Sequence, residues 1–342
     1  MPRKGILLVN LGSPDSPEVS DVKVYLREFL MDKYVLDMPF ILRKLIVEGF
    51  ILPKRPQKSA EAYKSIWSEN GSPLIATSES VQRQVKGRLE IPLALAMRYG
   101  NPSIQAGLRE LIEHEKVDDL LLIPLYAVYS LATVKSVEEK TRKVLKSLSN
   151  DVKLTVMPPF YSEKSYLDAL AASAKKSLEW DFDHLLFSFH GLPERHLKKA
   201  DPTGGHCLEV EGCCEISSPA HATCYRHQVL HIANELVKRL KIPQGKFSVA
   251  FQSRLGVDSW LKPSTASELV RLAEHGTKKL AVYCPAFVSD CLETLEEIAI
   301  QGKASFLEAG GEELRHIPCM NDHPAWIQTL SEFCKRWSEA PY

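Results

Sequence analysis

The sequence lacks net charge of either sign: 43 lysines and arginines face 43 aspartates and glutamates. A protein that neutralises a phosphate backbone needs an excess of clustered cations, so no nucleic-acid partner is expected. Long apolar runs are missing too. The most apolar stretch, Tyr34 to Leu52, is broken by Asp37, Arg43, Lys44 and Glu48, too many charges for a helix that crosses a bilayer. Such a segment can still lie on one. The basic start MPRKG leads into an apolar run that stops at Gly12-Ser13-Pro14, shorter than a signal-peptide core, which points to a cytoplasmic chain. In a reducing compartment the eight cysteines are expected to be free, metal-bound or catalytic rather than paired. Nucleotide signatures are also wanting. No G-x-G-x-x-G follows the first apolar run and no G-x-x-x-x-G-K-[ST] occurs, which disfavours a dinucleotide or ATP enzyme.

What is present reads as a globular α/β protein. The 342 residues, 44% hydrophobic and 25% charged, suit about two domains of ordinary size. Short apolar runs bounded by turn residues predict eight buried strands: Ile6 to Asn10, Leu93 to Arg98, Leu120 to Leu125, Leu154 to Met157, Leu185 to Phe189, Phe247 to Phe251, Leu280 to Cys284 and Leu314 to Ile317. Helical patterns separate most of them: Val81 to Leu89, Ile104 to His114, Val134 to Ser147, Ser165 to Leu178, His227 to Leu240 and Thr265 to His275. Alternating strand and helix implies parallel sheets. The second and third strands start 27 residues apart in the first half (93 to 120) and 33 in the second (247 to 280), and the third and fourth start 34 apart in both. Two similar four-stranded domains, 1–162 and 163–342, are therefore predicted. The final helix, Ala325 to Trp337, can pack on either.

Three groups of residues carry chemistry. The run Leu185 to Phe189 leads into His190 and Gly191, which puts an imidazole at the carboxyl end of a parallel strand, where open α/β sheets bind ligands. A strand-end histidine bonded to backbone is the plain alternative. Beyond Cys284, Asp290 or Ser289 can cap a helix on which Glu293 and Glu297 share a face. That row can bind a cation or pass protons, or can be a solvated first turn. Between residues 200 and 226 stand Cys207, Cys213, Cys214 and Cys224, four thiols that suit either tetrahedral zinc or a [2Fe-2S] cluster. His206, His221 and His227 lie near enough in sequence to replace one of them.

Together FSFHGLPERH, FQSRLGVDSWLKP and CPAFVSDCLETLEEI, with GILLVNLGSPDSP, MRYGNPSI and IPLYAVYSLAT, closely resemble the ferrochelatases, which insert ferrous iron into protoporphyrin. The resemblance implies two doubly wound, Rossmann-like domains with four-stranded parallel sheets facing a porphyrin cleft. It implies that His190 accepts a pyrrole proton or contacts iron, with Glu293 as the facing carboxylate and Glu297 behind it. Ferrous iron and protoporphyrin IX are then the substrates and protohaem the product. By the same resemblance residues 31–60, centred on Met38 to Leu52, form a lip of the cleft, suited to peripheral membrane contact. Tyr126 and Trp260 touch the ring, and Arg55, Lys58, Tyr63 and Ser72 contact propionates. Some relatives carry histidine where Cys291 stands, so no metal-relay role is carried over to it; the surrounding motif resembles the branch that takes protoporphyrin rather than coproporphyrin. The insertion, about 203–226, resembles one that holds a [2Fe-2S] cluster in bacterial members, with Cys207, Cys213, Cys214 and Cys224 as ligands; zinc is the alternative. The chain is expected to act as a monomer or homodimer. Competing readings are a chelatase for another tetrapyrrole and metal, and a non-catalytic porphyrin or haem carrier or iron sensor.

Overall fold

The computed structural model describes residues 2–149, 151–253 and 258–340, so Arg254 to Val257 of the FQSRLGVDSWLKP motif lie outside the described residues. All eight predicted strands form, each within about two residues of its sequence bounds: β1 (Lys4–Asn10), β2 (Leu93–Met97), β3 (Asp119–Pro124), β4 (Lys153–Val156), β5 (His184–His190), β6 (Phe247–Gln252), β7 (Lys279–Tyr283) and β8 (Glu313–Ile317). They make two four-stranded parallel sheets, in the orders β2-β1-β3-β4 and β6-β5-β7-β8. The central strands β1, β3, β5 and β7 are buried almost throughout, whereas β4 and β8 at the edges are half exposed. Helices covering both faces explain the continuous apolar runs in the middle of each sheet.

The chain divides into two compact units: Met1–Tyr126 with Leu131–Pro159 and Ile327–Tyr342, and Phe160–Trp326 with Ala127–Ser130. In the first unit the core joins Leu7, Val9, Ala94, Ala96, Leu120 and Leu122 to Ile104, Leu108 and Val137 of the covering helices. The second repeats the scheme with Leu186, Ala250, Leu280 and Val282 against Leu269, Leu272, Ile298 and Phe306. The last helix, Pro324–Ser338, straddles the division, and its end is tied to β1 by Lys4 Nζ, which donates to the carbonyls of Ser338 and Ala340 at 2.9 and 3.1 Å.

Local details repeat as well. After β2 comes a cis Asn101–Pro102 bond and then Ser103, whose hydroxyl caps the next helix and accepts from Ala106 N at 3.2 Å. After β6 comes a cis Lys262–Pro263 bond and then Ser264, which caps in the same way through Ser267 N at 3.1 Å. Met97 and Phe251 at these strand ends form matching parallel bridges to Ser103 and Ser264. The middle strands also end alike. Gly12 follows β1, and a Cβ there would lie 1.8 Å from the Tyr99 carbonyl; Gly191 follows β5, and a Cβ there would lie 2.8 Å from the Gln252 carbonyl. Both positions require the bare backbone of glycine.

Several helices differ from the sequence pattern. Residues Val19–Leu30, Phe40–Ile46, Arg55–Ile66 and Glu194–Ala200 are helical without having been predicted so. The predicted helix Val81 to Leu89 starts earlier, at Pro73 behind Ser72, and ends at Lys86. A π-helical turn, Glu110–His114, takes over the end of the predicted helix Ile104 to His114; another, Leu131–Lys135, precedes and overlaps the start of the predicted Val134 to Ser147; and a longer one spans Glu293–Gly302.

Candidate active site

His190 closes β5, at the carboxyl end of the second sheet as its position in the sequence predicts. Its Nδ1 lies 2.6 Å from the Gly191 carbonyl. A carbonyl only accepts, so Nδ1 carries a proton, which in the neutral tautomer leaves the Nε2 lone pair for an incoming proton or cation. The His190 carbonyl in turn accepts from Tyr225 Oη at 2.8 Å, which holds the strand end in place.

Glu293 and Glu297 lie on the π-helical segment that follows β7. The first turn is built by Asp290: its Oδ1 accepts from Thr294 Oγ1 at 2.8 Å, its Oδ2 from Asn321 Nδ2 at 2.7 Å, and its own N–H donates to Asn321 Oδ1 at 2.8 Å. The buried Gln252, at the end of β6, donates through Nε2 to the Glu293 backbone carbonyl at 3.0 Å and accepts from Ser188 Oγ at 2.6 Å. The next residue, Ser253, has φ +65°. That turn brings its N–H to Glu297 Oε1 at 2.8 Å, and its hydroxyl donates to Glu297 Oε2. Burial raises the Glu297 pKa above the ordinary value; the Ser253 bonds and His190 pull it down and Glu293 pushes it up. Those interactions put His190, Glu293 and Glu297 in one electrostatic neighbourhood. The Cys291 thiol bonds to Glu293, and burial together with that carboxylate pushes the thiol up. An imidazole and two carboxylates that share one field at a strand end are groups able to attract a divalent cation and take up protons. Sequence reading named Asp290 as a cap of this helix but missed Gln252, Ser253 and Tyr225; only the adjacency of Gln252 and Ser253 in a recognised motif signalled two of them.

Trp260 belongs to the same unit and packs against Gly191, its Cε3 3.2 Å from where a Cβ would stand. A cavity of about 250 Å³ beside it is lined by Phe251, Gln252, Asp258, Ser259 and Lys262. The remaining predicted ring and propionate contacts belong to the first unit. Arg55 and Lys58 are exposed on the helix Arg55–Ile66, and Tyr63 is buried there, edge-on to Tyr25 and Trp67 at 6.2 and 6.3 Å. Ser72 is buried at the start of Pro73–Lys86, and Tyr126 follows β3 against the core. Within the predicted lip, Phe40, Ile41, Leu45 and Phe50 are 59, 82, 59 and 67% exposed. Arg43 instead turns inward and donates to the Leu36 and Met38 carbonyls, both at 3.0 Å. Among the described residues no helix is long and apolar enough to cross a membrane.

The four loop cysteines are free, and all but Cys214 are buried. The Cys207 and Cys214 thiols both donate to the Cys224 sulfur. Burial first, then that bond, raises Cys207; the bond first, then burial, raises Cys214; and the same bonds pull Cys224 down to about 6. Cys213 Sγ accepts from Leu208 N at 3.5 Å. Asp201 anchors the loop by accepting from the N–H groups of Thr203, His206 and Cys207, each at 2.8 Å. Gln228, fully buried, ties its far end to the carbonyls of His221 and Ala222, both at 3.0 Å. Among the described residues no group of three or more His, Cys, Asp or Glu side chains stands arranged to hold a metal ion; the thiols are engaged with one another. The donor set, four sulfurs in one anchored segment, nevertheless matches what a four-thiolate group requires.

The arrangement of two four-stranded sheets belongs to a known α/β class. It superposes on SirB from Bacillus subtilis with Fe3+ at a TM-score of 0.53 and 12% identity, covering 98% of this chain and 96% of that one. The sirohydrochlorin chelatase SirB from Bacillus subtilis subspecies spizizenii, in complex with cobalt, also gives 0.53, at 11% identity over 99% and 97% of the chains. Sequence narrows the class. The Ferrochelatase family profile matches residues 3–337, and the chain is 51% identical over 335 residues to the ferrochelatase of Pseudomonas fluorescens (strain Pf0-1), covering 97% of each. It is 53% identical over 332 residues to that of Azotobacter vinelandii (strain DJ), covering 96% of this chain and 98% of the relative. The chain belongs to the ferrochelatase family.

Proposed function

We propose that this enzyme inserts Fe2+ into protoporphyrin IX with release of two protons, giving protohaem in the terminal step of haem synthesis. The observation that carries the reading is the grouping of the His190 lone pair with Glu293 and Glu297 at the carboxyl end of a parallel sheet, in a chain of this family. Two pyrrole protons must leave while a hydrated ferrous ion sheds water, so exchangeable nitrogen and oxygen donors serve better than a tight thiolate cage. His190 Nε2 takes a proton from the pyrrole nitrogens. Glu293 and Glu297 offset the charge of the incoming ion, and Ser253 fixes the Glu297 carboxylate. By the family resemblance Arg55 and Lys58 suit propionates by charge, with the hydroxyl groups of Tyr63 and Ser72, and Tyr126 and Trp260 suit the ring. Contact energy from these remote groups bends the macrocycle and exposes its lone pairs.

Cys207, Cys213, Cys214 and Cys224 hold a [2Fe-2S] cluster on this reading, zinc being the alternative for the same sulfurs. Such a cluster supplies one-electron chemistry. Insertion of iron already ferrous does not use it, so its place is structural or sensing. The exposed row Phe40, Ile41, Leu45 and Phe50 rests on the cytoplasmic face of a membrane, from which an apolar porphyrin can be drawn.

The test is a visible spectrum of anaerobically purified protein, followed by protoporphyrin and ferrous salt in the same cuvette. Conversion of the free-base bands to those of haem, faster than without protein, is expected. With Glu293→Gln, porphyrin should still bind while turnover falls about 10²–10⁴-fold. Binding by the unaltered protein without conversion would establish a carrier instead. Starting bands from iron and sulfide, lost on Cys→Ser at any of the four positions, identify the cluster; a colourless protein with bound zinc identifies the alternative.

A further inference from the structure

Three histidines accompany the cysteine loop, and each has a ring nitrogen on a backbone carbonyl of that loop. His206 Nε2 lies 2.7 Å and His221 Nε2 2.8 Å from the Cys213 carbonyl, while His227 Nδ1 lies 2.8 Å from the Cys214 carbonyl. The His221 and His227 rings stack at 3.6 Å with 9° between their planes, and Tyr161 packs edge-on to His227 at 6.2 Å. Each contacted nitrogen must carry a proton, because a carbonyl only accepts. That nitrogen cannot also ligate a metal; the other nitrogen of each ring is the one whose use the amide variants below decide. Both acceptors belong to one dipeptide, Cys213-Cys214, which contributes two of the four sulfurs.

We infer that His206, His221 and His227 are positioning residues that clamp the Cys213-Cys214 backbone and so aim two adjacent sulfurs at the group the loop holds, without ligating it themselves. The inference rests on the thiolate reading of that loop. With both lone pairs of one carbonyl engaged, the dipeptide cannot rotate without breaking two hydrogen bonds, and the stacked pair fixes the third donor relative to the second. Partners of this kind, one step removed from the ligands, set how firmly a metal site holds its occupant.

The test compares alanine with amides that keep the donor. Glutamine places its NH2 where Nε2 stood and asparagine where Nδ1 stood, so His221→Gln and His227→Asn preserve the clamp while His221→Ala and His227→Ala break it. Metal content, visible absorption and the rate of metal loss to a chelator are read on each purified full-length protein. In parallel, iodoacetamide labelling is followed cysteine by cysteine by mass spectrometry. The alanine variants should lose metal about tenfold faster and label faster at Cys213 and Cys214 but not at the remote, buried Cys334; the amide variants should resemble the unaltered protein. Unchanged release and labelling in the alanine variants would overturn the clamp. Amide variants that lose metal and colour as Cys→Ser does would make the histidines ligands. If the unaltered protein carries no iron, sulfide or zinc, the thiolate reading fails by itself, and the labelling of Cys213 and Cys214 still decides the clamp.

Discussion

The two units build the same sheet and load its strand ends differently. In the first, the loops after the strands close on an internal ion pair: Asp32 accepts from Arg98, from Ser136 and, at 2.9 Å, from Tyr99 Oη, with both charged side chains almost wholly buried. In the second, the corresponding end of the sheet carries His190, Glu293 and Glu297, whose carboxylates receive hydrogen bonds from Ser253 and Cys291. Both units place a π-helical turn after the third strand. In one it is followed at once by Ser136, a partner of Asp32; in the other it carries the glutamates themselves. A carboxylate matched by a guanidinium is silent toward an incoming cation. One matched by neutral donors keeps its field, at the expense of desolvation, and so can attract and hold a cation.

Removing the internal cation should have the largest effect on that contrast. Arg98→Met leaves Asp32 buried without its guanidinium and should lower unfolding free energy by about 3–5 kcal/mol in denaturant titration; a change below about 1 kcal/mol would mean that Ser136 and Tyr99 suffice. The opposite behaviour is expected of Glu297→Gln. The amide keeps an oxygen for Ser253 N–H and an NH2 for its hydroxyl while removing a carboxylate whose folded pKa is raised, so stability at neutral pH should not fall. Turnover should drop about 10²-fold, and a variant that is destabilised with turnover intact would place Glu297 on the structural side. The smallest effect is that of His196, buried six residues beyond His190 in the same motif. Burial, helped by Arg195 and Lys199, lowers its pKa from 6.5 to about 4. The unfolded chain therefore binds the proton first, and stability, complete above the ordinary histidine value, is lost as pH falls from about 6.5 toward about 4, by roughly 2 kcal/mol once the ~3.4 kcal/mol of the full shift is reduced for solvent screening. Denaturant midpoints over that window should slope in the parent and flatten in His196→Gln.

The strands were legible because strands buried on both faces must be apolar without interruption, and turn residues bound them. The three α-helices before residue 70 were not, for a physical reason. Phe40, Ile41, Leu45 and Phe50 are exposed, so the apolar pattern there does not mark an inward face, and Glu18 and Pro39 at two helix starts supply no side-chain cap. His190 was legible from its place at a strand end, and Glu293 with Glu297 from their spacing. Ser253 was not, because its bond to Glu297 joins segments 44 residues apart. The loop histidines show the other limit: proximity in sequence suggested ligands, whereas their partners are backbone carbonyls that every residue possesses and no composition reveals.

The ten-residue segment Glu293–Gly302 also holds chain length in reserve. A π turn bonds each residue to the fifth along and so carries about one residue more than an α turn. Losing one residue from it lets that turn relax to the α repeat while the helix beyond keeps its facing, whereas the same loss from an ordinary α-helix swings everything beyond the cut by roughly 100° about the axis. A single-codon deletion between Glu293 and Glu297 would leave the two carboxylates three residues apart and still on one face.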